Sequence, residues 1–421
     1  MLKSLQNKIQ SIKRNTRIFS SIRQLACLPR EYDLTDSQWY FIQGRFKLIE
    51  NEILQKLETK IQVTKDLESK KNLVELNDFL GKLELELSKG HIFFDTYLDI
   101  LSQRNNPNLA SILSGCDVLA LDAIRKNHPK LTNIREPLVH LDRGFGASTL
   151  RSGILIRGKF PNPLPLIQIP YSKLTDKLGL VSILHEVGHT TLEFLGLTKE
   201  IASTLHSELT RQNAPKQIAD YYALYSKEIG PDYWAWLCSG IAQTAGTKEF
   251  LSLPKENVFR VSENDYHPPP WIRCLQSIQW SQTQWPLKIF SNWQKVWLEL
   301  YPIEEAPKKL QSVLLELKKY LPMVNRILFH NRFSVLNGKK IPDLFDLEII
   351  NPKKLEVIAE KVNVNGLNLE NLNPTSQLAV FRMIKEKQIL DDRALDSLLI
   401  IWLKKLSEKR KKTIQLQKMI L

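Results

Sequence analysis

His185, Glu186 and His189 stand in the run His185-Glu186-Val187-Gly188-His189. Residues four apart share one face of an α-helix, so these two imidazoles can turn toward a single metal ion. Glu186 then lies beside that ion, where a carboxylate takes a proton from a metal-polarised water. With Zn2+, this is the chemistry of peptide-bond hydrolysis. The run needs a mostly apolar helix around it, and Leu180-Val181-Ser182-Ile183-Leu184 before it and Leu192, Phe194 and Leu195 after it supply one. Gly188 inside that helix costs about 1 kcal/mol against alanine, which calls for a close backbone neighbour. The plain alternative is a core helix whose histidines only satisfy local hydrogen bonds.

The elements that must hold this helix can be read on either side. Residues 137–171 carry several glycines and prolines between short apolar runs at Pro137–Leu141, Gly153–Ile156 and Leu166–Ile169, a pattern of short strands and turns. The segment Pro163–Pro170 is bracketed by prolines, which sheet edges tolerate, and so is expected as an edge strand to which an extended peptide could add. Before it, Thr35 or Asp36 can cap a helix with Phe41, Phe46, Ile49 and Ile53 on one face. A second helix is expected from about Asp66 to Ser88, with Leu73, Leu76, Leu80 and Leu83 buried and Gly90 as its stop. Two more helices are expected over 91–127, interrupted at Asn105-Asn106-Pro107. Helical periodicity returns near Thr175 and gives segments near 214–229, 270–281, 286–301, 303–330, 376–388 and 391–418. The fold class expected is α+β, predominantly helical, with a small sheet. The divisions are a basic lead segment over 1–30, a helical region over 31–135, a metal-binding core over 136–300 and a C-terminal helical region over 301–421.

Two later segments give the chain a resemblance. Lys216-Gln217-Ile218-Ala219-Asp220 and His267-Pro268-Pro269-Pro270-Trp271-Ile272-Arg273 follow the HExxH run in that order. The three together resemble the catalytic core of the CAAX prenyl protease and heat-shock membrane protease family, zincin metallopeptidases of gluzincin type, across residues 137–280. The resemblance implies a zincin-like core with Zn2+ bound by His185, His189 and a third ligand, and Glu186 as general base. It also implies that His267 and Arg273 lie near the site as donors to an oxyanion, with a helix start and an ion pair as their structural alternative. The family has a glutamate where this chain has Lys216, and an ammonium has no lone pair for a cation. Asp220, one turn on, is the substitute expected as third ligand, with Glu208 and Glu228 as fallbacks. Lys216 also motivates a second reading, a catalytically inactive zincin-like protein that binds a partner.

Composition limits the remaining possibilities. The chain has 421 residues, 43% hydrophobic and 25% charged, which excludes a disordered or collagen-like chain. Cys27, Cys116, Cys238 and Cys274 form no CxxC pair, so no zinc ribbon or disulfide framework is indicated. The formal charge is +14, of which residues 1–30 hold +7 and residues 403–421 hold +6. The nearly neutral middle argues against a surface made throughout for nucleic acid. The basic ends leave a third reading, weak contact with nucleic acid or an anionic membrane surface. No run reaches the roughly 18 uninterrupted apolar residues of a membrane span, so a soluble protein acting on peptides or proteins in the cytoplasm is expected. Residues 1–30, basic and free of acids, give the alternative of an organellar targeting segment. Trp271, Trp280, Trp285, Trp293 and Trp297 fall at near-helical steps and are expected in the core, as are Cys238 and Cys274.

Overall fold

The computed structural model describes residues 1–64, 69–156, 160–262, 264–362 and 369–420. At the N-terminus lie α1 (Leu2–Thr16), α2 (Ile22–Ala26), α3 (Asp36–Val63) and α4 (Lys70–Ser102). Thr35 sets the start of α3: its hydroxyl accepts from the Gln38 N–H while the Gln38 side chain accepts from the Thr35 N–H. Ile42, Phe46, Ile49, Ile53 and Leu57 of α3 share an apolar core with Leu76, Leu80, Leu83 and Leu87 of α4. The expected start of the second helix at Asp66 lies outside the described residues. Gly90 does not stop it. A Cβ there would lie 2.8 Å from the Phe19 ring, so this glycine makes room for packing while the helix continues. The basic lead segment is folded onto this hairpin, with Leu5, Ile12, Phe19 and Ile22 buried.

Next comes α5 (Pro107–Ile124), capped by the Asn106 side chain, which accepts from the N–H groups of Asn108 and Leu109. Among the described residues it is the one helix long and apolar enough to cross a membrane, and most of it is buried inside the protein. Five short strands follow: β1 (Leu138–Asp142), β2 (Ser148–Leu150), β3 (Leu155–Ile156), β4 (Phe160–Pro161) and β5 (Leu166–Pro170). β3 and β4 form a small antiparallel ribbon, and the main sheet has the order β1-β5-β2. β5 is therefore central, parallel to β1 and antiparallel to β2, and not the expected edge strand. Pro163 and Pro165 precede β5 and Pro170 closes it, so the interior N–H groups that the two ladders need are all present. β1 and β2 are the two edges of this sheet; along β1, side chains of Gln103, Arg104 and Asp117 bond the backbone of Val139 and Leu141. Alternation along the strands serves two cores: Leu138 and Leu166 face the N-terminal helices, while Val139, Leu141, Ile167 and Ile169 face the larger C-terminal core.

That larger core is built by α6 (Ser182–Leu195), α7 (Leu197–Arg211), α8 (Lys216–Ser239), α9 (Ile241–Leu251), α10 (Lys255–Val258), α11 (Pro270–Gln284), α12 (Lys288–Leu300), α13 (Lys308–His330), α14 (Pro352–Ala359), α15 (Pro374–Glu386) and α16 (Asp392–Ile420). It contains the five expected tryptophans together with Cys238 and Cys274. It draws on side chains from Leu113 to Leu406. α16 crosses α5 where Gly115 lacks a side chain, since a Cβ there would lie 2.5 Å from the Leu403 carbonyl oxygen. Asp117 on α5 gathers Arg104, the Val139 N–H and Arg410 of α16, which ties the C-terminal helix to the sheet. The predominantly helical α+β class holds.

Candidate metal centre

Two glycines allow the helices that carry the site to approach. A Cβ on Gly188 of α6 would lie 2.7 Å from the Pro231 Cα, and one on Gly230 of α8 would lie 2.9 Å from Leu192. This is the close neighbour that Gly188 called for. Across the contact, His185, His189 and Glu228 present donor atoms that all lie within 4.8 Å of one another. The Nε2 atoms of His185 and His189 are 3.1 Å apart, and the Glu228 carboxylate oxygens lie 3.3 Å from the first and 3.4 Å from the second. Donors held 2.0–2.1 Å from one ion in a tetrahedron stand about 3.3–3.4 Å from each other. The spacing therefore suits a small dication with a fourth position left open.

Asp220, expected as the third ligand, is elsewhere. It precedes Glu228 by eight residues on the same helix, which is about 12 Å along the axis. It lies on the exposed face of α8, and its Oδ1 is 3.1 Å from His206 Nε2. Glu208 pairs with Arg211 on α7. Lys216 is the exposed first residue of α8, about 18 Å along the axis from Glu228, and bears no charge on the site. Of the candidates, the fallback Glu228 is the one brought to the two histidines.

Behind the donors sits a buried ion-pair network. Asp232, one turn after Glu228, accepts from His185 Nδ1 at 2.8 Å and fixes the ring so that Nε2 faces the cluster. Arg273 donates to Asp232 through Nε at 2.5 Å and Nη2 at 2.9 Å, and its Nη2 stands 3.4 Å from Glu228. These bonds commit Arg273 to holding the two acids, so of its two expected roles the geometry favours the ion pair over the oxyanion donor. Burial works against charge on His185, but Asp232 and Glu228 outweigh it and push the imidazole up to about 10. Burial and the His185 charge push His189 down to about 3. Burial also opposes the Glu228 charge, yet the His185 hydrogen bond and Arg273 hold its carboxyl at about 2. Asp232 is held below the usual carboxylate range in the same way, by Arg273 and His185 against burial. Without an ion, then, one proton rests on His185, and an entering cation displaces it.

Glu186 is 6% exposed and lines the cleft beside His185, with its carboxyl pushed up to about 7 by burial. His267 approaches from the opposite wall. Asp265 Oδ1 accepts from both its backbone N–H at 2.9 Å and its Nδ1 at 2.6 Å, which leaves Nε2 directed at the cluster, 3.8 Å from Glu228. Pro268 and Pro269 then lead into α11, whose first turns deliver Arg273. The cleft has a volume of about 1250 Å³ and is walled by β2, α6, α8, α9 and the His267 segment. Asp232 and Asp265 are the functional residues that sequence reading missed. Glu228 and Asp232 are spaced one turn apart around Gly230-Pro231, and that spacing was the available signal; nothing local distinguishes Asp265. No family model, curated protein or solved structure matches the chain.

Proposed function

We propose that this chain is a zinc-dependent metallopeptidase whose ion is held by His185, His189 and Glu228. The reading rests on one observation: three donor atoms at tetrahedral spacing, with Glu186 beside them, at an open cleft. A Zn2+ ion held there supplies Lewis acidity and a water acidic enough to lose its proton near neutral pH. Glu186, buried beside the ion, would take that proton and pass it to the departing amine. The imidazolium form of His267, with its Nδ1–H given to Asp265, would donate from Nε2 to the carbonyl oxygen as negative charge grows on it. Asp232 and Arg273 act at one remove, by fixing His185 and Glu228. Edge strand β2 lies along α6, where Thr149 Oγ1 is 3.5 Å from Thr190 Oγ1, and would offer an extended peptide main-chain partners beside the ion.

The resemblance to the CAAX prenyl protease and heat-shock membrane protease family supports the same activity through HExxH and His267. The third ligand then comes from Glu228. Lys216 no longer motivates an inactive relative, because it is remote from the donors. The test is metal analysis of the purified chain, followed by digestion of a peptide library by the zinc-loaded parent and its Glu186→Gln variant. About one zinc per chain, with cleavage lost in the variant while zinc is retained, is the expected result. A zinc-loaded parent with no Glu186-dependent cleavage would remove the peptidase reading.

A further inference from the structure

Resting on that reading, we propose that Phe145 and Phe250 form an aromatic subsite that selects peptides carrying a bulky aromatic side chain. Their position follows from the course of β2. Thr149 lies against Thr190, and Arg151 lies 3.3 Å from Glu193 near the end of α6, so β2 and α6 run side by side in the same direction. The residues just before β2 therefore lie toward the start of α6. There α9 packs closely, for a Cβ on Gly246 would lie 2.6 Å from Val181. Gln243, Thr247 and Phe250 recur at four and three residues along α9 and all line the cleft. This stripe leads from Gln243, which neighbours Asp232, out to Phe250 at the mouth.

Phe145 meets Phe250 across that mouth, with ring centroids 5.7 Å apart. They are 75% and 45% exposed. Single exposed apolar side chains are ordinary, but two phenylalanines from separate elements, joined over one end of a cleft, make a continuous apolar surface. Phe145 stands between Gly144, at φ +150°, and Gly146, on a loop anchored where Gln168 Nε2 donates to the Arg143 carbonyl at 2.8 Å. Lys173 stands 3.5 Å from Asp176, and Glu249 is taken by Arg382. A charged side chain would lose water against the two rings without a polar partner from either of them. A peptide added to the β2 edge carries its side chains past this pair, and an aromatic ring gains both burial and tilted ring contacts.

The experiment uses octapeptides of Ala, Ser and Gly with a single Phe moved along the chain, and an all-small control. Zinc-loaded parent and the Phe145→Ala/Phe250→Ala double variant digest them, with Glu186→Gln as the blank and helix content and zinc stoichiometry as folding checks. The parent should favour Phe at one fixed position relative to the cut by about 10- to 100-fold in kcat/KM, and that ratio should collapse toward one in the double variant. The same peptides, fluorescein-labelled, are titrated against the Glu186→Gln background with and without the two alanines. A parent that cleaves without positional preference, or a preference unchanged in the double variant, overturns the subsite. If nothing is cleaved, the peptidase reading fails and the titration decides: Phe-dependent binding lost with the two rings sustains the subsite, and equal binding of all peptides overturns it.

Discussion

Replacing Asp232 with asparagine tests whether the buried network positions the metal ligands. Asparagine keeps an oxygen for the His185 Nδ1–H at 2.8 Å but carries no charge, and it forfeits the paired donation from Arg273 at 2.5 and 2.9 Å. His185 then loses the carboxylate that holds its ring and raises its basicity. Loss of such a partner lowers metal affinity about 10- to 100-fold. At free zinc about 100 times the parental Kd, zinc adds about 2.7 kcal/mol to the stability of the parent. A tenfold weaker site retains about 1.4 kcal/mol of this, and a hundredfold weaker one about 0.4 kcal/mol. Denaturant unfolding of parent and Asp232→Asn, each with and without zinc, measures the difference, and competition with a chromogenic chelator measures Kd directly. Asp220→Asn is the control, since Asp220 is about 12 Å along α8 from Glu228 and faces outward. Asp232→Asn with parental affinity, or Asp220→Asn with an equal loss, would refute the ligand geometry.

Three further outcomes are expected. In the zinc-free protein, burial raises Glu186 from 4.5 to about 7, which penalises folding as pH climbs through that interval. Glu186→Gln should match the parent below pH 4.5 and exceed it by about 3 kcal/mol above pH 7, read from denaturant midpoints across pH. Gly188→Ala sets a Cβ 2.7 Å from the Pro231 Cα, so α6 must move off α8; a loss of about 1–3 kcal/mol is expected, with weaker zinc binding measured by chelator competition. Asp265→Asn removes the carboxylate that steadies His267, and steady-state kinetics should show kcat reduced by at least about tenfold while zinc stoichiometry stays near one.

Helices and the pairing of His185 with His189 were legible because their signals are local. Leu76, Leu80 and Leu83, or His185 and His189, declare a shared face through spacing alone. The six helices expected from residue 214 on are found near their positions, although α8 runs on to Ser239 and α9, α10 and α14 were not among those expected. What failed needed the third dimension. Prolines around Leu166–Ile169 mark the ends of a strand but not its neighbours, so β5 looked like an edge when β1 and β2 flank it. Gly90 carries the stop signal of a helix, yet it serves the Phe19 ring that packs over it. Asp220 was placed by likeness to a motif, whereas the carboxylate that meets the two histidines, Glu228, is set by where α8 crosses α6. That crossing is set by Gly188, Gly230 and Pro231. Of these, Gly188 was readable as a contact, but its partner was not.

The charge balance of the network bears on what the ion does for the fold. Glu228 and Asp232 are each 4% exposed in their side chains, and two buried carboxylates without cations would oppose folding strongly. Arg273 touches both acids, and His185, held up at about 10, adds a second positive charge. Two buried acids thus face two buried cations before any metal enters. The larger core also gathers apolar side chains from Leu113 to Leu406, far more than the four side chains of this network. Zinc should therefore be removable without unfolding, unlike the ion of a small zinc-nucleated domain. Chelator-stripped protein should keep its far-UV circular dichroism and unfold cooperatively, and zinc should bind again with release of about one proton as His185 changes partner, seen by titration calorimetry in buffers of different ionisation enthalpy. Collapse of the helical signal on stripping would show that the four side chains do not balance one another, and would make the ion a structural element.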